Sequence, residues 1–496
     1  MRLLEWARRH AAAGDDGATT IDDLAAGLPL AEARRRHGLP AAAALGVATF
    51  YDQLDPAVRV CDGTACHFAG GPALAAALPG AATVRCLGLC YDGPSLRVGD
   101  AVSGASDRLG AADAIAATVA THRAHRPPRR ALVPPVVLRN LLGAPGNPAD
   151  AYRMPDGATI LRLVEASGLR GRGGAAYPTG AKWRVAREAP APLRYVIANG
   201  DEGDPGSYVD RVLLEEDPHA VLAGMMACAR AVGAARGIVF VRAEYPAARD
   251  AVTAAAAEAR AAGWLDAGFA VEVRGGAGSY VCGEETALLR TLEGLRAEPA
   301  PKPPYPAQAG LHGAPTVIQN VETLAQIPWL LANGRRSHTK VASLSGAVSA
   351  PGLVEFAFGT PLREVLGAPL PGDRRATMAL VGGPLGRVLP ESAFDQPLSY
   401  DALPGLGHAG VVAFDARVTP RALARHLYTF AAAESCGTCT PCRVGTARLR
   451  DAPDRAALER LCDTLEIGSL CGFGLGVPRP IRDLLAHYGD RLFACE

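Results

Sequence analysis

The sequence predicts a multidomain α/β protein with a Rossmann-like core, a small α/β unit before that core, and a β-rich and a helical region after it. Three observations carry this prediction. The 496 residues exceed the ~100–200 residues that one domain usually contains. Between residues 194 and 275, apolar strands alternate with long helices, as in a parallel sheet with helical crossovers. The segments 419–435, 454–466 and 478–489 have helical patterns near the end of the chain.

The composition is that of an ordinary folded protein and excludes several classes of partner. Charged residues make up 20% of the chain, and the 51 basic residues nearly balance the 50 acidic ones. No electrostatic field therefore selects for nucleic acid or an anionic membrane. The first residues lack the apolar core of a signal peptide, and no stretch has the ~20 apolar residues that a membrane span needs. We expect a cytoplasmic protein with its twelve cysteines reduced.

The first 135 residues predict helices, a small α/β unit and a linker. Residues 1–50 are rich in Ala, Leu and Arg and predict short helices. In the unit 51–121, strands at 58–60 and 83–86 enclose a helix at 71–80, and a last helix covers 111–122. The basic, proline-rich segment 122–135 can neither continue a helix nor supply a central strand. We assign it to a linker.

The remaining residues predict three further domains. The Rossmann-like domain, 136–335, has strands at 194–200, 237–243 and 269–275, with helices at 219–234, 245–263 and 322–334. A small β-rich domain, 336–398, has strands at 342–348, 352–358 and 378–383. Residues 399–496 form the helical domain.

A glycine-rich loop, GLRGRGGAAYPTGAKW at 168–183, is the first candidate site. It satisfies the G-x-G-x-x-G/A pattern formally, but no strand precedes it and no acidic residue follows at the right distance, so it is not a dinucleotide fingerprint. It is not a P-loop either. A backbone rich in N–H donors beside Lys182 suits a phosphate. A plain surface loop is an equally good interpretation of this loop taken alone.

Two acidic segments follow strands or begin helices of the same domain. Asp201, Glu202 and Asp204 follow the strand that carries Asn199, and ligands of open α/β sheets bind at such strand ends. A solvated turn that caps the next helix is the alternative. Glu284 and Glu285 stand at a predicted helix start, where capping alone explains one glutamate.

Eight of the twelve cysteines fall into two clusters, and clustered cysteines of a reduced protein are metal ligands by default. The front set is Cys61, Cys66, Cys86 and Cys90. At the back, Cys436, Cys439 and Cys442 follow a two-residue spacing and need a fourth ligand, either Cys471 in a glycine-rich loop or Cys462. Cys462 lies on the apolar stripe of a predicted helix, which favours buried packing. Spacing alone leaves four-cysteine zinc open for the front set.

These motifs carry a family resemblance. GRGGAAYPTGAKW, NGDEGDPGSYVDR, YVCGEETAL, PKPPYPAQAGLHGAPTVIQNVETL and ESCGTCTPCRVG occur in the order found in the flavin- and NADH-binding subunit of respiratory complex I and its relatives in NAD-linked hydrogenases and formate dehydrogenases. Upstream, GVATFYDQL, VRVCDGTACH and CLGLCYDGPSL resemble the thioredoxin-like two-iron subunit of those complexes. The chain resembles both subunits fused, with a β-grasp-like domain before the helical one.

The resemblance implies cofactors and residue roles. The front cysteines would hold [2Fe–2S], and Cys436, Cys439, Cys442 and Cys471 would hold [4Fe–4S]. The positions that match the surroundings of FMN are Gly171, Gly173, Lys182, Asn199, Asp201, Glu284, Gln319, Asn320 and Thr323. The positions near NADH are Tyr177, Glu202, Asp204 and Glu285, and Tyr280 and Gly283 complete the predicted cofactor site. No side chain acts as a catalytic acid or base, because the cofactors carry the hydride chemistry.

The predicted function is a diaphorase that passes electrons between NAD(H), FMN and iron–sulfur clusters within a larger oxidoreductase. Fused chains of this kind favour a catalytic partner of the molybdenum formate dehydrogenase class, with a hydrogenase or complex I as alternatives. The rivals are a self-contained nicotinamide dehydrogenase with structural zinc and a zinc-stabilised interaction scaffold. The family pattern differs at Asp204, where Glu is usual, and at Gln319, where Asn is usual.

Overall fold

A computed structural model describes residues 19–51, 54, 58–78, 80–104, 126–334, 338–370 and 374–493. These residues form two compact units, and the chain enters each unit more than once. The first unit contains the described residues within 1–55, 145–202 and 210–337, and the second contains those within 56–144, 203–209 and 338–496. The predicted helix 111–122 and Cys495 lie outside the described residues.

The helices of the described residues are numbered in chain order. They are α1 (Thr20–Ala25), α2 (Leu30–Arg36), α3 (Ala41–Ala48), α4 (Thr64–Phe68), α5 (Gly71–Ala77), α6 (Arg139–Leu142), α7 (Pro148–Ala151), α8 (Gly157–Ser167), α9 (Thr179–Glu188), α10 (Val209–Glu216), α11 (Pro218–Val232), α12 (Pro246–Ala261), α13 (Glu285–Leu292), α14 (Val321–Asn333), α15 (Leu362–Leu366), α16 (Pro420–Glu434), α17 (Thr440–Arg448), α18 (Arg455–Gly468), α19 (Gly472–Gly476) and α20 (Pro478–Tyr488).

The strands follow the same numbering. They are β1 (Arg59–Cys61), β2 (Ala82–Val84), β3 (Leu96–Val98), β4 (Ala101–Ser103), β5 (Arg129–Ala131), β6 (Tyr195–Gly200), β7 (Arg236–Val241), β8 (Ala270–Gly275), β9 (Thr316–Asn320), β10 (Thr339–Gly346), β11 (Gly352–Ala357), β12 (Met378–Val381), β13 (Arg387–Pro390) and β14 (Gly410–Phe414).

The first unit is built on a four-stranded sheet in the order β8-β7-β6-β9. All three pairings are parallel. The sequence pattern predicts β6, β7 and β8 but not β9. The middle of the sheet is buried. The helix α11 begins with Pro218, because the first turn of a helix does not need the backbone N–H that proline lacks. Gly224 lets α11 approach α14, because a Cβ there would lie 2.2 Å from the carbonyl oxygen of Leu324. This parallel core confirms the Rossmann-like prediction at the level of strand order.

The N-terminal helices also belong to the first unit. Leu39 and Ala44 form an apolar cluster with Leu295, and the hydroxyl of Tyr51 donates to the carbonyl of Leu295 over 2.6 Å. Arg274 forms an ion pair of 3.5 Å with Asp22. The prediction of a separate N-terminal segment therefore differs from the structure, where these helices pack on the residues around α13.

The second unit contains two mixed sheets. The small sheet has the order β2-β1-β3-β4, with β1 parallel to β2 and antiparallel to β3. The large sheet has the order β13-β12-β14-β10-β11-β5 and buries an apolar core that includes Val354, Phe356 and Val411.

The edge strand β5 lies within the predicted linker. It pairs in parallel with β11, a place where prolines on either side are tolerated because an edge strand needs hydrogen bonds on one side only. The fully buried carboxylate of Glu355 then accepts the backbone N–H groups of Val136, Val137 and Leu138 at 2.9–3.1 Å. The linker prediction is wrong for 129–131, because the edge of the sheet offered backbone partners that the segment itself did not reveal.

The C-terminal helices confirm a predicted helical region, but its predicted start at residue 399 is wrong, because β14 pairs with β10 and β12 inside the large sheet. Three helices, α16, α18 and α20, begin and end within two residues of their predicted bounds. The helix α17 lies between the first two predicted segments. Among the described residues, no helix has the length and apolarity that a membrane crossing requires.

Candidate functional site

The carboxyl ends of β6 and β9 form the floor of a candidate binding site in the first unit. The two strands are neighbours, and Asn199 lies opposite Asn320 in their register. Gln319 is 4% exposed, and within the described part of the chain its side-chain Nε2 has no hydrogen-bond partner. A buried amide without a partner costs free energy. The floor therefore holds a donor that a polar ligand can satisfy, and this fits the ring oxygens and nitrogens of a flavin.

The glycine-rich loop connects α8 to α9. It closes on itself through the N–H of Gly171, which donates to the carbonyl of Tyr177 over 2.9 Å, while Gly168 adopts a left-handed conformation after α8. The backbone N–H of Arg172 donates to the hydroxyl of Thr323 over 2.8 Å. Gly173 and the ring of Tyr177, 52% exposed, face solvent. The structure thus brings this loop to the start of α14, and the Tyr177 ring is available for stacking.

Lys182 on α9 points to the same strand end. Its Nζ donates to the carbonyl of Ile318 in β9 over 3.0 Å and contacts the carboxylate of Glu285. The lysine side chain is 18% exposed and that of Glu285 is 30% exposed. A partly buried ammonium group at this place can neutralise an anionic ligand such as a phosphate, with Glu285 as its present counter-ion.

The acidic turn after β6 is held by several hydrogen bonds. The side chain of Asn199 donates to the carbonyl of Gly283 over 2.9 Å and accepts the N–H of Asp201 over 3.1 Å. Gly283 packs closely against this turn, because a Cβ there would lie 3.1 Å from the Asp201 carbonyl oxygen. Tyr280 begins the segment Tyr280–Gly283, which forms one 3₁₀ turn.

Glu202 serves a structural purpose within the turn. Its side chain is fully buried, and its carboxylate accepts the N–H groups of Asp210 and Arg211 at the start of α10 over 3.2 and 3.1 Å. The hydroxyl of Tyr245 is a third donor at 3.4 Å. The sequence left two interpretations open, a ligand contact and a turn that caps the next helix. The contacts of Glu202 with the start of α10 agree with the capping turn. Asp204 belongs to the second unit, where its carboxylate lies 3.9 Å from Nδ1 of His408.

Glu284 is the N-cap of α13. Its carboxylate accepts the N–H groups of Thr286 and Ala287 over 2.9 and 3.1 Å, and Lys302 donates to its other oxygen over 2.7 Å. Capping accounts for this carboxylate. The side chain is still partly exposed, so its outer oxygen remains reachable for a ligand.

Asp210 is a residue that the sequence interpretation missed. One oxygen accepts the side-chain N–H of Asn320 over 2.5 Å, and the other accepts the backbone N–H of Glu322 over 3.2 Å. Asn320 in turn caps α14 by accepting the N–H of Thr323. Asp210 therefore fixes the rotamer of Asn320 at the candidate site. The sequence around Asp210 contains no motif that marks it as a site residue. The only hint is the acidic segment that precedes it.

The back cysteines converge in the second unit. Cys436 follows α16, Cys439 and Cys471 are the N-cap residues of α17 and α19, and Cys442 lies in the first turn of α17. Burial raises the pKa of the Cys442 thiol to about 12, and the neighbouring Cys439, Cys471 and Cys436 contribute in the same direction.

Gly474 packs tightly beside the back cysteines. A Cβ on Gly474 would lie 3.1 Å from the Cβ of Cys442 and 2.4 Å from the hydroxyl oxygen of Ser469. Four thiols that lie near one another fit a [4Fe–4S] cluster.

Cys462 stands apart from this set. It lies in the middle of α18, is fully buried, and shares that buried face with Leu458 and Leu465. Burial raises its pKa to about 12, and the charges that act on it are those of Arg482 and nearby carboxylates rather than other thiols. Its position agrees with the packing role predicted from the helical pattern.

The front cysteines are all buried around the small sheet. The sulfurs of Cys86 and Cys90 are 3.5 Å apart, and a hydrogen bond to Cys66 together with burial raises the pKa of Cys61. The pKa of Cys90 is raised by its hydrogen bond to Cys86, by burial, and by the charges of Cys86, Cys66 and Cys61. The four thiols therefore form two close pairs, Cys61 with Cys66 and Cys86 with Cys90, an arrangement that fits the four thiolate ligands of [2Fe–2S].

An ion-pair network connects the segments that carry the two cysteine sets. Arg85, directly before Cys86, donates to Asp62 over 2.6 Å and lies 3.5 Å from Glu434, two residues before Cys436. Burial acts to raise the pKa of Asp62, but the hydrogen bond from His67 acts in the opposite direction, and the pKa of Asp62 is lowered overall.

A buried histidine packs beside this network. His426 of α16 lies 4.3 Å from the His67 ring between centroids, and burial lowers its pKa to about 3, so it is neutral. These contacts attach the small sheet to α16 within the second unit.

Comparisons with known proteins give the relatives of the chain. Residues 164–329 match the Nuo51 FMN-binding domain, and residues 422–494 match the NADH-ubiquinone oxidoreductase-F iron-sulfur binding region. An NADH-quinone oxidoreductase chain of Rhizobium meliloti (strain 1021) is 38% identical over 71% of this chain and 96% of its own length. The HndC chain of the NADP-reducing hydrogenase of Solidesulfovibrio fructosivorans is 40% identical over 67% of this chain and 75% of its own.

A solved structure is similar over most of the chain. A chain in the crystal structure of NAD⁺-reducing [NiFe]-hydrogenase in the H₂-reduced state superposes with a TM-score of 0.84 at 35% identity. The match covers 94% of this chain and 89% of that one. The similarity thus extends beyond the two matched regions.

Proposed function

The chain belongs to the family of NADH-oxidising flavoprotein subunits of complex I and NAD-linked hydrogenases, and on that premise we propose that it is a diaphorase with two iron–sulfur clusters. It is an NADH oxidoreductase whose family binds FMN, NADH and [4Fe–4S]. When bound, FMN exchanges a hydride with the nicotinamide and single electrons with the clusters. The observation that carries the proposal is the convergence of two separate four-cysteine sets in a chain with a flavin-binding domain.

We assign the flavin to the carboxyl ends of β6 and β9. The unpartnered amide of Gln319 and the side chains of Asn199 and Asn320 face its polar edge, and Lys182 neutralises its phosphate. Gly171 and Gly173 let the loop backbone approach the ligand. Further contacts come from Asp201, Gly283, Glu284 and Thr323.

The nicotinamide nucleotide lies on the Tyr177 side in this proposal. The exposed Tyr177 ring stacks on a base or nicotinamide, and Asp204 and Glu285 accept hydrogen bonds from ribose hydroxyls. Tyr280 adds to the wall of the site. Glu202 acts indirectly, because its buried carboxylate fixes the turn between Asp201 and Asp204.

Cys436, Cys439, Cys442 and Cys471 are the proposed ligands of [4Fe–4S]. The support is their mutual approach and the absence of side-chain bulk at Gly474. The front set is proposed to hold [2Fe–2S] in a thioredoxin-like domain, and the mixed order β2-β1-β3-β4 is compatible with that fold. The large mixed sheet with α15 is the proposed β-grasp-like domain.

Iron analysis with absorption spectroscopy tests the cofactor proposal. Protein purified without oxygen should contain one FMN, one [2Fe–2S] and one [4Fe–4S], which is about six irons per chain. Stoichiometric zinc with about four irons would assign the front set to zinc and contradict the two-cluster proposal. A colourless, zinc-loaded protein would support the scaffold alternative instead.

The proposed partner is a catalytic chain that exchanges electrons with the back cluster, within a cytoplasmic complex. Exposed apolar side chains surround the back cysteines: Ile467 is 87% exposed and Val444 is 50% exposed, and Leu470 and Leu475 flank Cys471. Apolar side chains exposed together mark surfaces that another protein covers. Relatives of the chain are subunits of multi-subunit complexes.

The class of that catalytic chain is proposed from two different arguments. Fused diaphorase chains favour a molybdenum formate dehydrogenase by analogy. The similarity to a hydrogenase chain over 94% of this sequence favours a nickel–iron hydrogenase as the second candidate. Metal analysis of the complex purified from its native cells distinguishes them: molybdenum supports the first, and nickel the second.

A surface variant tests the docking face. Ile467→Asp should keep flavin and iron but weaken co-purification of the catalytic chain, because a charge replaces an apolar contact. Leu142→Asp is the matched control, since Leu142 is also apolar and exposed (39%) but lies in α6. Equal recovery of the catalytic chain with both variants would contradict this docking face.

A further inference from the structure

Two serine hydroxyls lie beside the back cysteines, and neither belongs to the predicted ligand set. Ser435 ends α16 directly before Cys436. Its hydroxyl oxygen lies 3.4 Å from the sulfur of Cys442. An iron-bound thiolate carries no proton, so in that state the hydroxyl must be the donor of this contact.

Ser469 lies at the other side of the same space. It is the C-cap of α18, and its backbone N–H donates to Leu465 over 3.2 Å. Its hydroxyl oxygen is buried and, among the described residues, has no hydrogen-bond partner. Buried hydroxyls are normally satisfied, and one that is not points to a group absent from the protein atoms.

Gly474 relates the second hydroxyl to the cysteines. A methyl group on Gly474 would lie 2.4 Å from the Ser469 oxygen and 3.1 Å from the Cβ of Cys442. The serine hydroxyl and the Cys442 side chain therefore both pack against Gly474. Ser469 also lies two residues before the proposed ligand Cys471.

We propose that Ser435 and Ser469 donate O–H···S hydrogen bonds to the sulfurs of the [4Fe–4S] cluster and raise its reduction potential. This inference rests on the proposed ligand set. Reduction adds negative charge to the cluster, and a donor aimed at a sulfur stabilises the more negative state. The two hydroxyls make the cluster a better acceptor for electrons from the flavin.

A redox titration of the purified, cluster-containing protein, followed by electron paramagnetic resonance, tests the proposal. Ser435→Ala and Ser469→Ala should keep the iron content and the signal of the reduced cluster, but lower its midpoint potential. A tenfold change in the reduction equilibrium corresponds to about 59 mV for one electron, and we expect a shift of about that size. Thr464→Ala is the control, because this exposed hydroxyl on the same helix bonds to its own backbone at Arg460.

The outcomes separate this inference from the proposed function. A wild-type protein without a [4Fe–4S] signal would overturn the proposed function before any variant is compared. An intact cluster with an unchanged potential in Ser469→Ala would overturn the role of that serine. If Ser469→Ala loses iron, Ser469→Thr decides: a retained cluster at the wild-type potential supports the hydrogen bond, and loss of iron in both variants contradicts it.

Discussion

Glu202→Gln tests whether this carboxylate holds the acidic turn or contacts the nucleotide. The carboxamide keeps one acceptor oxygen and turns an NH₂ group toward a backbone N–H at the start of α10. One charge-assisted hydrogen bond is lost, worth ~1.5–3 kcal/mol, and one buried N–H is left unsatisfied at a cost of ~1–3 kcal/mol. We therefore expect the free energy of unfolding of the first unit to fall by about 2.5–6 kcal/mol.

Thermal release of FMN, followed by its fluorescence, measures this loss in the unit that carries the site. Each kcal/mol lowers the Tm of a unit of this size by ~2–4 °C, so the release temperature should fall by about 5–24 °C. Glu258→Gln is the matched control, since its side chain is 59% exposed, and it should change the release temperature little.

Steady-state kinetics at a temperature well below unfolding complete the test. The KM for NADH in Glu202→Gln should change by less than about tenfold, the factor that ~1.4 kcal/mol of binding energy represents. A wild-type release temperature combined with a large rise in KM would refute the structural role and make Glu202 a direct nucleotide contact.

Three further results are expected. Cys471→Ser should abolish the four-iron signal in electron paramagnetic resonance, whereas Cys462→Ser should keep it because Cys462 packs inside α18; the reverse would show that the ligand assignment is wrong. Asp204→Ala should raise the KM for NADH and leave FMN bound, and loss of flavin with unchanged kinetics in the remaining holoenzyme would contradict this. Hydrogen bonding to Arg417 lowers the pKa of Asp415 to about 2, so its stabilisation is complete above the unfolded pKa of ~4 and disappears as pH falls toward 2. Asp415→Asn should therefore lower the Tm at neutral pH and have no effect near pH 2, and a constant difference across that range would count against the ion pair.

The parallel core was predictable because its signals are local. Strands such as β6 and β7 are continuous apolar runs, and helices such as α12 have a long apolar period, so both types of element were assigned nearly to their observed ends. The separation of Cys462 from Cys471 followed from the same periodicity. In each case one residue's environment depends mainly on its close neighbours in sequence.

Features that depend on distant partners could not be predicted. The edge strand β5 exists because β11, more than two hundred residues later, offers an open edge. The role of Asp210 requires Asn320 in another element, 110 residues later. The sequence does not distinguish an Asp or Glu that caps a helix from one that contacts a ligand, because the tertiary structure determines which groups surround the carboxylate.

The alternation of the chain between the two units has a consequence for biosynthesis. Protein synthesis delivers the N-terminus first, yet the front cysteine segment belongs to a unit whose largest part, residues 338–496, is translated only after residue 337. During synthesis the segment of the small sheet therefore leaves the ribosome before Glu434 and His426 are made, although these residues pack beside it in the finished protein. A gene cut near residue 135, which would restore two separate polypeptides, would also remove β5 from the large sheet and leave the edge of β11 open to aggregation. Any such split protein would need both halves expressed together for the second unit to mature.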